Sequence, residues 1–267
     1  MSLRFTIVGC GASTGVPRID GNWGKCDPDN PKNTRLRSSL LVQRIEGGRS
    51  TNILIDTGAD MRVQMLTAGI KTVDGVLYTH DHADHTHGID DLRLFAYMRR
   101  GLVNLYFNRA TGDLLRQRFD YCFASRPGSS YPPIVRGHEI EPGQDFAING
   151  AAGAINVTVF RQLHGDIESL GFRIGNVAYS TDLHALPDEA LPALQGLDVW
   201  IVDALRYTEH PSHFSVAQAL DWVARLAPKR TILTHLAVDI DFETLRRELP
   251  AGVEPAFDGL QFELPED

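Results

Sequence analysis

The chain has 267 residues, of which 43% are hydrophobic and 22% charged, with a mean hydropathy of −0.17. That balance supports a globular fold with a large core and excludes disordered and fibrous architectures. A net charge of −8 and a pI near 5.7 disfavour a long nucleic-acid partner, since non-specific binding relies on lysine and arginine displacing counterions.

No apolar run reaches the roughly 18 residues of a membrane span, and Met1–Cys10 has no signal-peptide core. Three cysteines without a Cys-x-x-Cys pair (Cys10, Cys26, Cys122) fit a reducing, cytoplasmic setting. No repeat, low-complexity tract or Gly/Ser linker divides the chain, so residues 1–267 are expected to form one domain.

Leu3–Gly9, Ser39–Ile45 and Asn52–Ile55 read as strands, the last two joined by the turn Glu46-Gly-Gly48. Asp60–Thr67 reads as a helix ended by Gly69, and Gly75–Thr79 as a buried strand that stops at a histidine cluster. Asp90–Arg100 reads as a helix with Leu92, Leu94, Phe95 and Met98 on its apolar positions, followed by the strand Val103–Phe107. Ser125–Pro133 is an irregular loop, serving as a lid, a contact with a second subunit of a homodimer, or plain surface. His138 is placed in a turn.

Further strands are expected at Ile155–Gln162, Leu170–Ile174, Val177–Ser180 and Val199–Val202. Ser215 suits the N-cap of a helix carrying Val216, Ala219, Leu220, Val223 and Leu226, which Pro228 ends. Thr231–Thr234 is a last buried strand, leading to His235. Two halves, each with strands followed by helices, predict an α/β fold of two packed sheets with helices outside.

The chemistry concentrates in Thr79-His80-Asp81-His82-Ala83-Asp84-His85-Thr86-His87-Gly88. Imidazoles and a carboxylate in the order His-x-His-x-Asp-His suit zinc, or manganese where oxygen ligands contribute more. Neighbouring side chains splay apart, so distant residues must complete the site. His164, Asp182 and His235 each follow a strand, where functional side chains gather. His87, His184 and His210 are read as surface or supporting residues. The plain alternative is a solvated loop rich in His and Asp.

These residues, with Asp56-Thr57-Gly58 upstream, resemble the metallo-β-lactamase superfamily from about Phe5 to Asp239. The resemblance implies a four-layer αββα sandwich of two mixed β-sheets with two divalent ions, Zn or Mn, at one edge. His80, His82 and His164 would hold one ion, Asp84, His85 and His235 the other, and Asp182 would bridge them. Asp56 would orient a ligand histidine.

Three features resemble the superfamily's phosphodiesterase branch, that is, the phosphoribosyl cyclic phosphodiesterases and tRNA 3′-processing endonucleases. They are Gly9-Cys-Gly-Ala-Ser-Thr-Gly15-Val-Pro17 with Asn33-Thr-Arg-Leu-Arg-Ser-Ser39, the Asp84-His85 pair, and Pro211-Ser-His213-Phe-Ser-Val-Ala-Gln218.

The implied reaction is hydrolysis of a phosphodiester by hydroxide generated at two ions, with His213 as general acid. Arg206 and Ser39 are candidate substrate contacts. Cys26 stands alone where the cyclic phosphodiesterases carry a zinc-binding cysteine cluster, so no structural zinc is expected there. No basic arm for gripping tRNA is evident. A small phosphodiester or nucleotide-like substrate is therefore expected. RNA 3′-end processing, and non-catalytic metal or nucleotide binding, are the alternatives.

Overall fold

A computed structural model describes residues 2–265. Strands β1 (Ser2–Gly9), β2 (Ser39–Glu46), β3 (Arg49–Ile55), β4 (Gly75–Leu77), β5 (Val103–Phe107) and β6 (Val135–Glu139) belong to the first sheet. A second sheet holds β7 (Asp145–Gly150), β8 (Gly153–His164), β9 (Ile167–Ile174), β10 (Val177–Ser180), β11 (Val199–Asp203), β12 (Arg230–Thr234) and β13 (Val253–Pro255). The last strand, β14 (Gln261–Pro265), returns to the first sheet. The orders are β14-β1-β2-β3-β4-β5-β6 and β13-β12-β11-β10-β9-β8-β7.

Each sheet is antiparallel on one side and parallel on the other. The carboxyl ends of β3 and β4 therefore coincide, as do those of β8, β10, β11 and β12. Such ends, where the chain leaves the sheet, are where open α/β sheets place their sites.

Strand periodicity sorts the side chains into layers. Leu40 and Val42 of β2, Val199 and Ile201 of β11, and Ile232 of β12 meet in the core between the sheets. The intervening Leu41, Trp200, Val202 and Leu233 point the other way, into cores beneath helices. Burial on both faces explains why these strands read as continuous apolar runs. The outer helices are α1 (Met61–Thr67), α2 (Ala83–Thr86), α3 (Leu92–Arg99), α4 (Arg109–Arg118), α5 (Asp120–Phe123), α6 (Val216–Leu226) and α7 (Phe242–Glu248). The arrangement is the expected four-layer sandwich of two mixed sheets.

Helix α6 starts at Ser215, whose hydroxyl accepts from Gln218 N while the Gln218 side chain accepts from Ser215 N, a reciprocal cap. Other expectations need correction. His138 lies in β6, its Nε2 3.0 Å from Asn104 Oδ1 and its ring stacked on Tyr106, not in a turn. A 3₁₀ turn over Ile89–Asp91 precedes α3, and only Leu92, Phe95 and Ala96 of that helix enter the core. Leu94 and Met98 are 61% and 56% exposed. Residues 125–133 form the irregular loop expected of them.

One half-buried carboxylate ties the start of the chain to its end. Asp258 accepts from Cys10 N at 3.0 Å and Leu36 N at 2.7 Å. Burial pushes its pKa up to about 6, against the stabilising backbone donors. An unfolded aspartate titrates near 3.9, so between about pH 4 and 6 the folded state binds more protons than the unfolded one. This residue's contribution is then fully present below about pH 4 and lost as pH rises through about 6. Denaturant titrations are expected to show the stability lead of wild type over the non-titrating Asp258→Asn shrinking across that window. Asp258→Ala, which strands both amides, should cost about 2–5 kcal/mol below about pH 4 and less above about pH 6.

Candidate metal centre

The expected ligands converge at one edge of the sandwich. His80 and His82 lie in the loop after β4, Asp84 and His85 on α2, His164 at the end of β8, and Asp182 and His235 just past β10 and β12. Asp56, Asp182 and His235 have φ of 65°, 56° and 58°. This left-handed backbone costs a non-glycine residue about 1–3 kcal/mol and collects at functional sites. It turns the chain sharply off each strand toward a common centre. Gly58 lets α2 approach, since a Cβ there would lie 2.2 Å from Asp84 O.

Asp56 organises the first two imidazoles. Its carboxylate accepts from Thr79 N at 2.9 Å, Thr79 Oγ1 at 2.8 Å and His85 Nδ1 at 2.7 Å. Thr79 has spent its proton on Asp56, so at 3.0 Å it accepts from His80 Nδ1. Both rings thus carry their proton on Nδ1 and turn an Nε2 lone pair inward. Similarly, His164 Nδ1 donates to Ser212 O at 2.7 Å. His235 differs: its Nδ1 lies 3.0 Å from Ser38 Oγ, which donates to Gly11 O, and the same nitrogen faces Asp182. Supporting contacts of this kind fix tautomer and orientation in metal sites.

Two groups of inward atoms match the expected ligands, His80/His82/His164 and Asp84/His85/Asp182/His235, each with its donor atoms within 4.8 Å of one another, and His164, Asp182 and His213 form a third. Asp182 faces both. Its Oδ1 lies 3.9 Å from His80 Nε2 and 3.8 Å from His164 Nε2, and its Oδ2 lies 3.1 Å from His85 Nε2 and 3.3 Å from His235 Nδ1.

The residues fit divalent cations on two grounds. His80 Nε2 and His85 Nε2 are fully buried and have no hydrogen-bond partner. His85 Nε2 also faces Asp84 Oδ2 at 3.2 Å as well as Asp182, an opposition of lone pairs that a cation relieves. The titration behaviour reports the same demand for positive charge. Burial works against a charged His85, yet Asp182, Asp84 and Asp56 lift its pKa well above the ordinary value. For Asp182, His235 and His85 override burial and hold the carboxyl well below its usual range. Burial and His85 push His80 well down.

His213 stacks on His235 at 4.9 Å and sits 4.6 Å from His164. Its Nδ1 contacts Asp203 Oδ2 at 2.7 Å, and its Nε2 lies 3.9 Å from Asp182 Oδ1. Burial opposes its charge, but Asp203 prevails and pushes the pKa up to about 9. Asp203 Oδ2 also accepts from Leu183 N at 3.2 Å, while Oδ1 is buried without a partner.

Two expected substrate contacts are placed otherwise. Ser39 is 1% exposed, and its hydroxyl donates to Ile55 O and Asp56 O, clamping the turn that carries Asp56. It has no open face to offer a substrate. Arg206 folds onto its own loop, donating to Thr208 O at 3.1 Å and Glu209 O at 2.5 Å. Three supporting residues escape sequence reasoning. Asp203 had a usable signal, an acid ending an apolar strand like Asp56 and Asp182, whereas Ser38 and Thr79 had none. Cys26 is buried with its thiol on Val238 O and Ile240 O.

Comparison with known proteins agrees with this geometry. The family model for the beta-lactamase superfamily domain matches residues 51–236, a span holding all seven expected ligands. A Porphyromonas gingivalis (strain ATCC BAA-308 / W83) protein named octanoyltransferase is 33% identical over 263 residues, covering 97% of this chain and 51% of that protein. Ribonuclease Z of Bradyrhizobium sp. (strain ORS 278) is 32% identical over 195 residues, covering 71% of this chain and 55% of the relative. The chain thus spans about half the length of these curated relatives. Among solved structures, a diphosphatase from the PhnP family superposes with a TM-score of 0.86 at 34% identity, covering 99% of this chain and 98% of that one. The chain belongs to the metallo-β-lactamase superfamily, in its phosphodiesterase branch.

Proposed function

We propose that the protein is a hydrolase of small phosphoric esters, cleaving a P–O bond in a diester or a diphosphate with the help of two divalent cations. The observation that carries this reading is Asp182, which presents one oxygen to each of two donor groups. His80, His82 and His164 would hold one cation, and Asp84, His85 and His235 the other, with Asp182 shared. Three imidazoles favour zinc in the first position, and two carboxylates with two imidazoles admit manganese in the second. Such ions supply Lewis acidity toward phosphoryl oxygens and lower the pKa of coordinated water.

The chain's own residues supply the rest. Asp56 holds His85 directly and His80 through Thr79, and so keeps both Nε2 atoms available. Asp203 binds His213 Nδ1 and leaves Nε2 toward the cluster, the geometry of a general acid that protonates a departing oxygen.

A small substrate is favoured by the net charge of −8 and by the diphosphatase, which matches over nearly the full length of both chains. The ribonuclease Z relative supports RNA 3′-end processing as the second reading, over a smaller share of both proteins. No helix among the described residues is long and apolar enough to cross a membrane. Three buried free thiols suit a reducing, cytoplasmic setting.

The test is elemental analysis together with turnover of bis-p-nitrophenyl phosphate, cyclic phosphates, nucleoside diphosphates and a 3′-extended tRNA. Two equivalents of zinc or manganese, with chelator-sensitive turnover of the small compounds, is the expected result. Turnover of the tRNA alone would shift the reading to RNA processing, and binding without turnover would leave a sensor. Asp56→Ala is expected to weaken metal affinity about 10–100-fold in competition with a chromophoric chelator. His213→Ala should retain its metal and lose about 10²–10⁴ in kcat on substrates with alkoxide leaving groups. The same variant should lose far less on p-nitrophenyl esters, whose leaving group departs without a proton. Equal losses on both would remove His213 from the acid's role.

A further inference from the structure

The candidate ligand rings His80, His85 and His164 donate from Nδ1 and leave Nε2 bare. His184 and His210 are built the other way round. His184 Nδ1 accepts from Gly165 N at 3.1 Å, and His210 Nδ1 accepts from Ser212 N at 3.3 Å. A ring nitrogen that accepts a backbone N–H carries no proton, so each ring is neutral and keeps its hydrogen on Nε2. Both rings are half-buried, and neither Nε2 donates to a partner among the described residues.

Both histidines border the metal-site edge. The His210 ring lies 5.1 Å from that of His213, beside the group assigned to protonate a departing oxygen. His184 reaches the same edge through Gly165, the residue after His164. A Cβ on Gly165 would lie 3.1 Å from the Ser212 side chain, and Ser212 O accepts from His164 Nδ1. The two rings therefore hang on the two backbone segments that meet at His164. Burial, His213 and the Arg206 guanidinium hold the His210 pKa below its ordinary value, in keeping with a neutral ring in a positive setting. An N–H donor so placed suits an anionic oxygen.

We propose that His184 and His210 donate from Nε2 to anionic phosphoryl oxygens of the leaving group, so that the site prefers a diphosphate to a diester of an alcohol. The inference rests on the reading of the protein as a hydrolase of small phosphoric esters with His213 as its acid. Hydrolysis adds water across the P–O–P bridge. One phosphorus gains the hydroxyl, and the bridging oxygen leaves with the other phosphoryl group. That oxygen receives a proton from His213, and the proton freed from water restores the imidazole. The departing half of a diphosphate carries charged oxygens beyond the bridge, whereas a departing alcohol has none.

Substitution by Asn and by Gln separates binding from support, because the Asn amide oxygen stands near Nδ1 and the Gln amide nitrogen near Nε2. His184→Asn and His210→Asn keep the backbone contact and lose the outer donor. On metal-loaded protein of matched metal content, each is expected to lose about 10–100-fold in kcat/KM on a nucleoside diphosphate beyond its loss on bis-p-nitrophenyl phosphate. His210→Gln should recover most of that loss. Calorimetry with a nucleoside α,β-methylene diphosphate, which lacks the bridging oxygen, reads binding without turnover. Wild type should bind it about tenfold or more tightly than the monophosphate, and the two Asn substitutions together should remove that margin. Asn variants that match wild type, equal losses on both substrates, or an Asn variant better than Gln each overturn the inference and leave the hydrolase reading standing. Wild type that turns over neither substrate overturns that reading, and this inference with it.

Discussion

Asp56, itself fully buried, accepts three donors within 2.9 Å, and that constraint propagates through the candidate centre. A neutral imidazole can present only one basic nitrogen. By taking the His85 Nδ1 proton and the Thr79 hydroxyl proton, Asp56 decides which nitrogen that is for His85 and, one step removed, for His80. The Ser212 carbonyl does the same for His164. The inward-facing nitrogens of these three rings are thus set by a surrounding layer from the turn after β3, the loop after β4 and the loop before α6. Pre-orientation of this kind lowers the reorganisation needed when a cation arrives. It also accounts for the left-handed backbone at Asp56, Asp182 and His235, strain that only a rigid two-sheet scaffold can hold.

Much of this was legible in the sequence because the signals are local. His80, His82, Asp84 and His85 sit within six residues, and His164, Asp182 and His235 each end an apolar strand. What failed depended on direction. Ser39 and Arg206 have suitable chemistry near suitable motifs, yet one hydroxyl turns inward to Ile55 O and one guanidinium folds onto Glu209 O. Thr79 and Ser38 matter because of which atom each donates to, and that follows from register alone. The sandwich was readable from two-sided strands such as β11 and β12. The edge strands β6, β7, β13 and β14 bury fewer residues and alternate weakly, and α4, rich in arginine, is defined mainly by its Asn108 cap.

Helix α3 shows a further limit of periodicity. Leu92, Leu94, Phe95 and Met98 satisfy a helical spacing, but that spacing cannot tell one apolar stripe from two adjoining ones. The structure separates them, with Leu92 and Phe95 inward and Leu94 and Met98 outward.

The site and the outer face are joined by short covalent paths. Thr57 and Gly58 follow Asp56 immediately and lead within three residues to α1, while the turn after His85 leads within seven residues to α3. Movement of either helix therefore changes the turn that presents a ligand or its carboxylate support. A scaffold in which Asp182 faces two donor groups therefore depends on the inward packing of Met61 and Met65 from α1 and of Leu92, Phe95 and Ala96 from α3.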